Sequence, residues 1–190
     1  MRKIITKILF ALGIILISLS VLVVVHSYVA QKKANKEIPQ IVSSLYDLMP
    51  ETHGGFLDDR SDYSMPSVEL NKKDYMGVIE IPLYHITLPF KANWDSKDAE
   101  TIPCRYYGSI YNGSLIIGAS ESNIRCSDVI SIGDDITVTD MTGAMFSYTV
   151  SDIIITDIIE AEALTNENAD LTLFVKDALS NEYTIIFCNL

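Results

Sequence analysis

Residues 171–190 read LTLFVKDALSNEYTIIFCNL, and no other stretch constrains the fold as strongly. Two runs rich in apolar and β-branched residues, 171–175 and 183–188, flank the polar break KDALSNE. Runs of that kind with such a break form two strands joined by a short loop, as a hairpin or as near neighbours in one sheet. Lys176 stands where the first of them meets the loop.

The same pattern starts a hundred residues earlier. MGVIEIP sets Val78, Ile79 and Ile81 about Glu80, and HITLPF follows after a Pro-Leu-Tyr turn, which predicts strands over 77–81 and 86–90. SLIIGAS, IGDDITVTD and FSYTVSDIIIT supply more, and Thr142-Gly143 suits the turn of a hairpin between the last two. Brief helical stretches are predicted only around 123–128 and 160–168. Short strands at close spacing predict an all-β barrel or sandwich. Trp94, the single tryptophan, falls in the polar connection 91–103 and is read as a large ring covering one mouth of the core.

The first third of the chain is different. Residues 8–25, ILFALGIILISLSVLVVV, form an apolar run interrupted only by Gly13, Ser18 and Ser20. Eighteen residues at helical rise come to about 27 Å, near the roughly 30 Å of a bilayer core. The expected organisation is a cytoplasmic terminus at 1–7, a transmembrane helix at 8–29, a juxtamembrane amphipathic helix and linker at 30–74, and a β domain at 75–190. A cleaved signal peptide is the competing reading, since the basic MRK start suits both; small residues at the first and third places before a cut are poorly provided. Arg2, Lys3 and Lys7 before the run are matched by Lys32, Lys33 and Lys36 after it, and the amino terminus tips the orientation to N-terminus inside, domain outside. Ile38, Ile41, Val42, Leu45 and Leu48 recur at helical spacing, with Pro39 expected in a first turn and Pro50 as the stop; 51–74 reads as a linker.

Charge narrows the partners. All six basic residues before Glu37 lie in the anchor region, so the rest carries eight basic against 25 acidic residues, a net of −17. Such a body repels phosphate backbones, which excludes nucleic acid, and it suits a basic partner. His53, in the linker, has no second ligand at metal spacing, and no metal or cofactor pattern is present.

YMGVIEIPLYHITLPF, PCRYYGSIYNGSLIIGAS, IGDDITVTDMTGAMFSYTV and DLTLF, in that order, resemble the sortase family, in particular the class B-like sortases of Gram-positive bacteria. The resemblance covers 75–190 together with the anchor and the helix behind it. It implies a closed eight-stranded β-barrel with short helices, on the outer face of the membrane behind an N-terminal transmembrane helix. It also implies transpeptidation, in which a cysteine thiolate attacks a sorting-signal peptide and passes the acyl group to an amine of the cell wall or a pilin.

The family's working residues carry over poorly. Its histidine ends the strand resembling SLIIGAS, where this chain has Ser120. Its cysteine ends the strand resembling DLTLF, where Lys176 follows Val175, and its arginine opens the last strand, where Tyr183 stands, or Glu182 with a slip of one. Thiolate attack, proton transfer and oxyanion stabilisation thus lose their groups together. His26, His53 and His85 fall in the anchor, the linker and an early turn. The expectation is a pseudo-sortase that binds a sorting-signal peptide or pilin, or supports an active sortase. Two enzymatic alternatives remain: a relocated thiol at Cys126, and a Ser120/Lys176 hydrolase. Cys104 and Cys188 are candidates for a bridge, and Cys188 reads otherwise as a buried small hydrophobe.

Overall fold

The computed structural model describes residues 2–50, 64–124, 130–165, 168–178 and 180–190. The chain divides into residues 1–37 and a compact unit, 38–190. Helix α1 covers Arg2–Leu48 and contains Pro39, so the proline lies inside a helix and not in the first turn that its missing N–H favours. Among the described residues no helix is long and apolar enough to cross a membrane; within the apolar run the longest unbroken set of described side chains is 11 residues, 12–22. Most of these are open to the surroundings, with Ile15 62 % and Leu22 66 % exposed. Ile38, Ile41, Val42 and Leu45, at the spacing expected of an amphipathic helix, are buried in the core of the second unit.

Nine strands follow: β1 (Val68–Leu70), β2 (Lys73–Ile81), β3 (Ile86–Lys91), β4 (Cys104–Tyr107), β5 (Leu115–Ser120), β6 (Asp135–Asp140), β7 (Met145–Thr156), β8 (Leu171–Lys176) and β9 (Tyr183–Asn189). A single turn of helix, α2 (Ala161–Leu164), lies between β7 and β8. The order β2-β3-β4-β5-β8-β9-β7-β6 closes through β2–β6 pairing, which makes an eight-stranded barrel with β1 as a hairpin flap on β2. The all-β barrel expected from sequence is therefore present. Closure explains Gly77: a Cβ there would sit 2.1 Å from the Thr139 carbonyl oxygen on β6.

Alternation sorts the side chains. Leu115 and Ile117 of β5, Leu171, Leu173 and Val175 of β8, and Ile186 and Cys188 of β9 point into the barrel, where they pack with Ile79, Phe90, Ile136 and Val138. Ile116, Phe174, Ile185 and Phe187 point outward and form a second cluster with Leu164 and Ala169. Two joints are local chemistry. The Asp140 carboxylate accepts from the Thr142 and Ala144 amides at 2.8 and 3.1 Å and from the Tyr111 hydroxyl, fixing the β6–β7 turn at Thr142-Gly143. The seam between β3 and β4 has a single parallel pair, Lys91–Cys104, with Lys91 N–H donating to the Pro103 oxygen at 2.9 Å and Arg105 Nε donating to the Ala92 oxygen at 3.0 Å.

Candidate functional site

The three positions at which the family resemblance puts catalytic groups form one row. Ser120 ends β5, Lys176 ends β8 and Tyr183 opens β9; Ser120 is the register partner of Lys176, and Lys176 of Tyr183. Parallel β5–β8 pairing and the β8–β9 hairpin bring them together although 63 residues separate Ser120 from Tyr183. The outward faces of Gly118, Phe174 and Ile185 lie two residues back along the same strands.

What stands in the row limits its chemistry. Ser120 is half-buried and opens a turn: the Asn123 amide donates to its carbonyl at 2.9 Å and the Ser122 amide to its hydroxyl oxygen at 3.4 Å. Ser122 Oγ lies 3.1 Å from Ser120 Oγ, 2.8 Å from the Glu100 carbonyl and 3.0 Å from Asn123 Oδ1, with one proton among the three. Lys176 is exposed, while its backbone oxygen accepts from the Glu121 amide at 2.9 Å. A serine–lysine pair requires a desolvated lysine, and the exposure of Lys176 does not provide it. Tyr183 is half-buried against the outer apolar cluster. The row thus offers a hydroxyl, an ammonium and a phenol, with no thiol, imidazole or guanidinium.

The other residues singled out from sequence lie elsewhere. Cys126 and His53 are outside the described residues, and the His26 side chain is too. His85 is exposed, in the left-handed conformation at the β2–β3 turn (φ 54°). It lines an open cavity of about 530 Å³ with Pro39, Val42, Ser43, Tyr46, Asp47 and Thr87. The bridge between Cys104 and Cys188 does not form: both are free and buried. Cys104 is opposite Gly118 and Cys188 opposite Leu171, so three strand steps and three residues separate them, roughly 17 Å where a disulfide allows about 7 Å between Cα atoms. Burial raises both thiols above their ordinary value, Cys188 to about 12, so neither supplies a thiolate near neutrality.

Two features escaped sequence reading. Trp94 does not cap a barrel mouth; it lies on the outer face, over Gly118, with ring centroids 5.2 Å from Phe174 and 5.4 Å from Tyr106. Tyr106 and Phe174 close the triangle at 5.4 Å. The missing side chain at Gly118, in the middle of an apolar strand, was the signal that a large ring docks there. The second feature is Lys91, 4 % exposed, whose Nζ lies 2.6 Å from Asp98 Oδ2. Burial lowers its basicity, the Asp98 carboxylate opposes that shift, and Lys73 adds to it.

No protein-family model and no curated protein matches the chain. Solved structures do, and those described are sortases. Sortase A from Corynebacterium diphtheriae is 15 % identical, with 85 % of this chain and 84 % of that one covered and a TM-score of 0.54. The Clostridium perfringens sortase D5 transpeptidase is 17 % identical over 62 % of this chain and 79 % of its own, at 0.51. Sortase C from Clostridium perfringens SM101 is 18 % identical over 60 % and 68 %, at 0.50. The fold is therefore sortase-like; these three neighbours belong to classes A, C and D rather than B.

Proposed function

We propose that this chain is a membrane-anchored, extracytoplasmic pseudo-sortase that holds a sorting-signal peptide, a pilin or an active sortase on the outer face of β5, β8 and β9. The observation that carries the reading is the row Ser120–Lys176–Tyr183: the strands bring the three positions into register, and the side chains there lack the sulfur, the proton carrier and the fixed cation of thioacyl transfer. The apolar run of 8–25, with exposed Phe10, Ile15 and Leu22, supports the anchor, and basic Arg2, Lys3 and Lys7 support N-terminus inside.

The test is turnover and binding on full-length protein in detergent. An LPXTG-like peptide with an amine acceptor is expected to be neither cleaved nor transferred, while peptide or an envelope protein is retained. Cleavage that disappears in Cys126→Ala would overturn the reading in favour of a relocated thiol. The register of Ser120 with Lys176 favours one alternative, a Ser/Lys hydrolase. Labelling by a serine-directed probe that is lost in Ser120→Ala establishes it; equal labelling of wild type and variant rules it out. Topology is checked separately by protease accessibility of the domain on intact cells, with release only by detergent expected.

A further inference from the structure

Strand β7 outruns its partner on one side. It pairs with β6 only through 145–149, followed by a last exchange in which Val150 donates to the Asp134 carbonyl and accepts from the Gly133 amide, both at 2.8 Å. Its pairing with β9 continues to Thr156, past a bulge between Val150 and Asp152. Among the described residues no strand pairs with the other side of 152–156, which leaves a short open edge on the barrel. The direction of the backbone groups follows from β9. The carbonyls of Glu182 and Cys188 accept from the Asp177 and Asp170 amides at 3.0 Å, on the β8 side, so Tyr183, Ile185 and Phe187 turn their groups to β7. Their partners there are Thr156, Ile154 and Asp152, and Ile153 and Ile155 therefore face the open edge. The Ile153 amide agrees with this, donating to Asp152 Oδ1 at 2.8 Å. Among the described residues the Ile153 carbonyl and both Ile155 backbone groups meet no partner.

The edge is apolar in its side chains and acidic around them. Ile154 and Ile155 are 44 % and 65 % exposed, between exposed Asp152 and Asp157. No lysine or arginine occurs between Arg125 and Lys176, a stretch with ten aspartates and glutamates. Lysine or proline is what ordinarily blocks such an edge. We infer that the open edge of β7 takes up an extended, lysine-flanked segment of another polypeptide by strand addition, its apolar side chains on Ile154 and Ile155 and its lysines beside Asp152 and Asp157. Main-chain bonds to Ile153 and Ile155 fix the register, and the acidic flanks select the partner. A second copy of this chain is the poorer occupant, because its own β7 brings the same aspartates and no basic residue. The edge adjoins the row, since Thr156 pairs with Tyr183. The inference nonetheless goes beyond the pseudo-sortase reading, resting on the edge and not on the chemistry of the row.

The experiment uses the full-length protein in detergent and a labelled probe peptide of alternating isoleucine and threonine with a lysine at each end. Saturable binding is expected, with amide exchange across 153–155 slowed about tenfold in hydrogen-exchange mass spectrometry. Glutamates in place of the probe's lysines are expected to weaken binding about tenfold. Ile155→Pro removes an N–H that faces the edge and none that bonds to β9, and is expected to abolish binding. Methylating the probe's amides on alternate residues tests the same bonds on wild type: one set abolishes binding and the other leaves it intact. No saturable binding, binding that survives in folded Ile155→Pro, unchanged exchange at 153–155, equal tolerance of the two methylated probes, or a dimer that protects 153–155 without probe each overturn the inference. Should Ile155→Pro fail to fold, the methylated probes decide the matter. Turnover of a signal peptide, which would end the pseudo-sortase reading, alters none of these readouts.

Discussion

At the scale of single residues, Gly118 and Cys188 show how much of the site region is fixed by size and burial. A Cβ at Gly118 would come 2.2 Å from Trp94 Cζ3 and 2.4 Å from Phe174 Cζ. Gly118→Ala is therefore expected to push Trp94 off the sheet and cost about 1–3 kcal/mol, the usual range for overpacking. The single tryptophan makes this readable as a red shift of emission together with a lower urea midpoint; an unshifted spectrum would refute the stacking described. Cys188 makes a pH prediction. Its thiol is held up to about 12 by burial against an ordinary 9.0, so the unfolded chain loses that proton first as pH rises. The contribution is complete below about pH 9 and is lost between 9 and about 12, for a total on the order of 4 kcal/mol. Urea midpoints followed from pH 8 to 11 should fall more steeply in wild type than in Cys188→Ala, and parallel curves would contradict this.

At the scale of elements, the β1–β2 turn is a two-residue loop, Asn71-Lys72, with φ of 54° and 63° between the partners Leu70 and Lys73. Both central residues in the left-handed region make a type I′ geometry, which suits Asn followed by Gly. Lysine at the second position carries the Cβ clash of that region, so Lys72→Gly is expected to stabilise by about 1 kcal/mol in thermal or urea unfolding. No gain would mean that the hairpin does not hold this turn. The same turn shows why β1 was invisible in the sequence: a three-residue strand without glycine beside it gives neither periodicity nor punctuation. Strands with five or more β-branched or apolar residues, such as β5 and β8, were legible because alternation and composition agree with their pairing. Pro39 misled the other way, since the local rule that puts proline in a first turn yields to a helix stabilised by the burial of Ile38, Ile41, Val42 and Leu45. Likewise, the row of Ser120, Lys176 and Tyr183 could be located only by resemblance, because a strand crossover carries no local signature. The burial of Lys91 gave no signal at all, since the connection that covers it has a path the residues do not announce.

At the scale of the molecule, charge and shape act together. The portion of the chain from residue 37 onward carries a net −17, and the outer face near the row combines aromatic rings with exposed carboxylates: Trp94 and Tyr106 are 38 % and 41 % exposed, and Glu100 and Glu182 are also exposed. A field of that sign raises the encounter rate of a cationic partner and contributes less to the lifetime of the complex. Lysine-bearing peptide added to the full-length protein is therefore expected to bind with an association rate that falls about tenfold between roughly 0.05 and 0.5 M salt, as the Debye length contracts from over 10 Å to under 5 Å. The dissociation rate should change little over the same range. A peptide with glutamate at the lysine positions should associate more slowly at low salt and converge with the lysine peptide at high salt. Rates that ignore salt, or equal rates for the two peptides at low salt, would show that the acidic surface serves solubility alone and that contacts with the face itself select the partner.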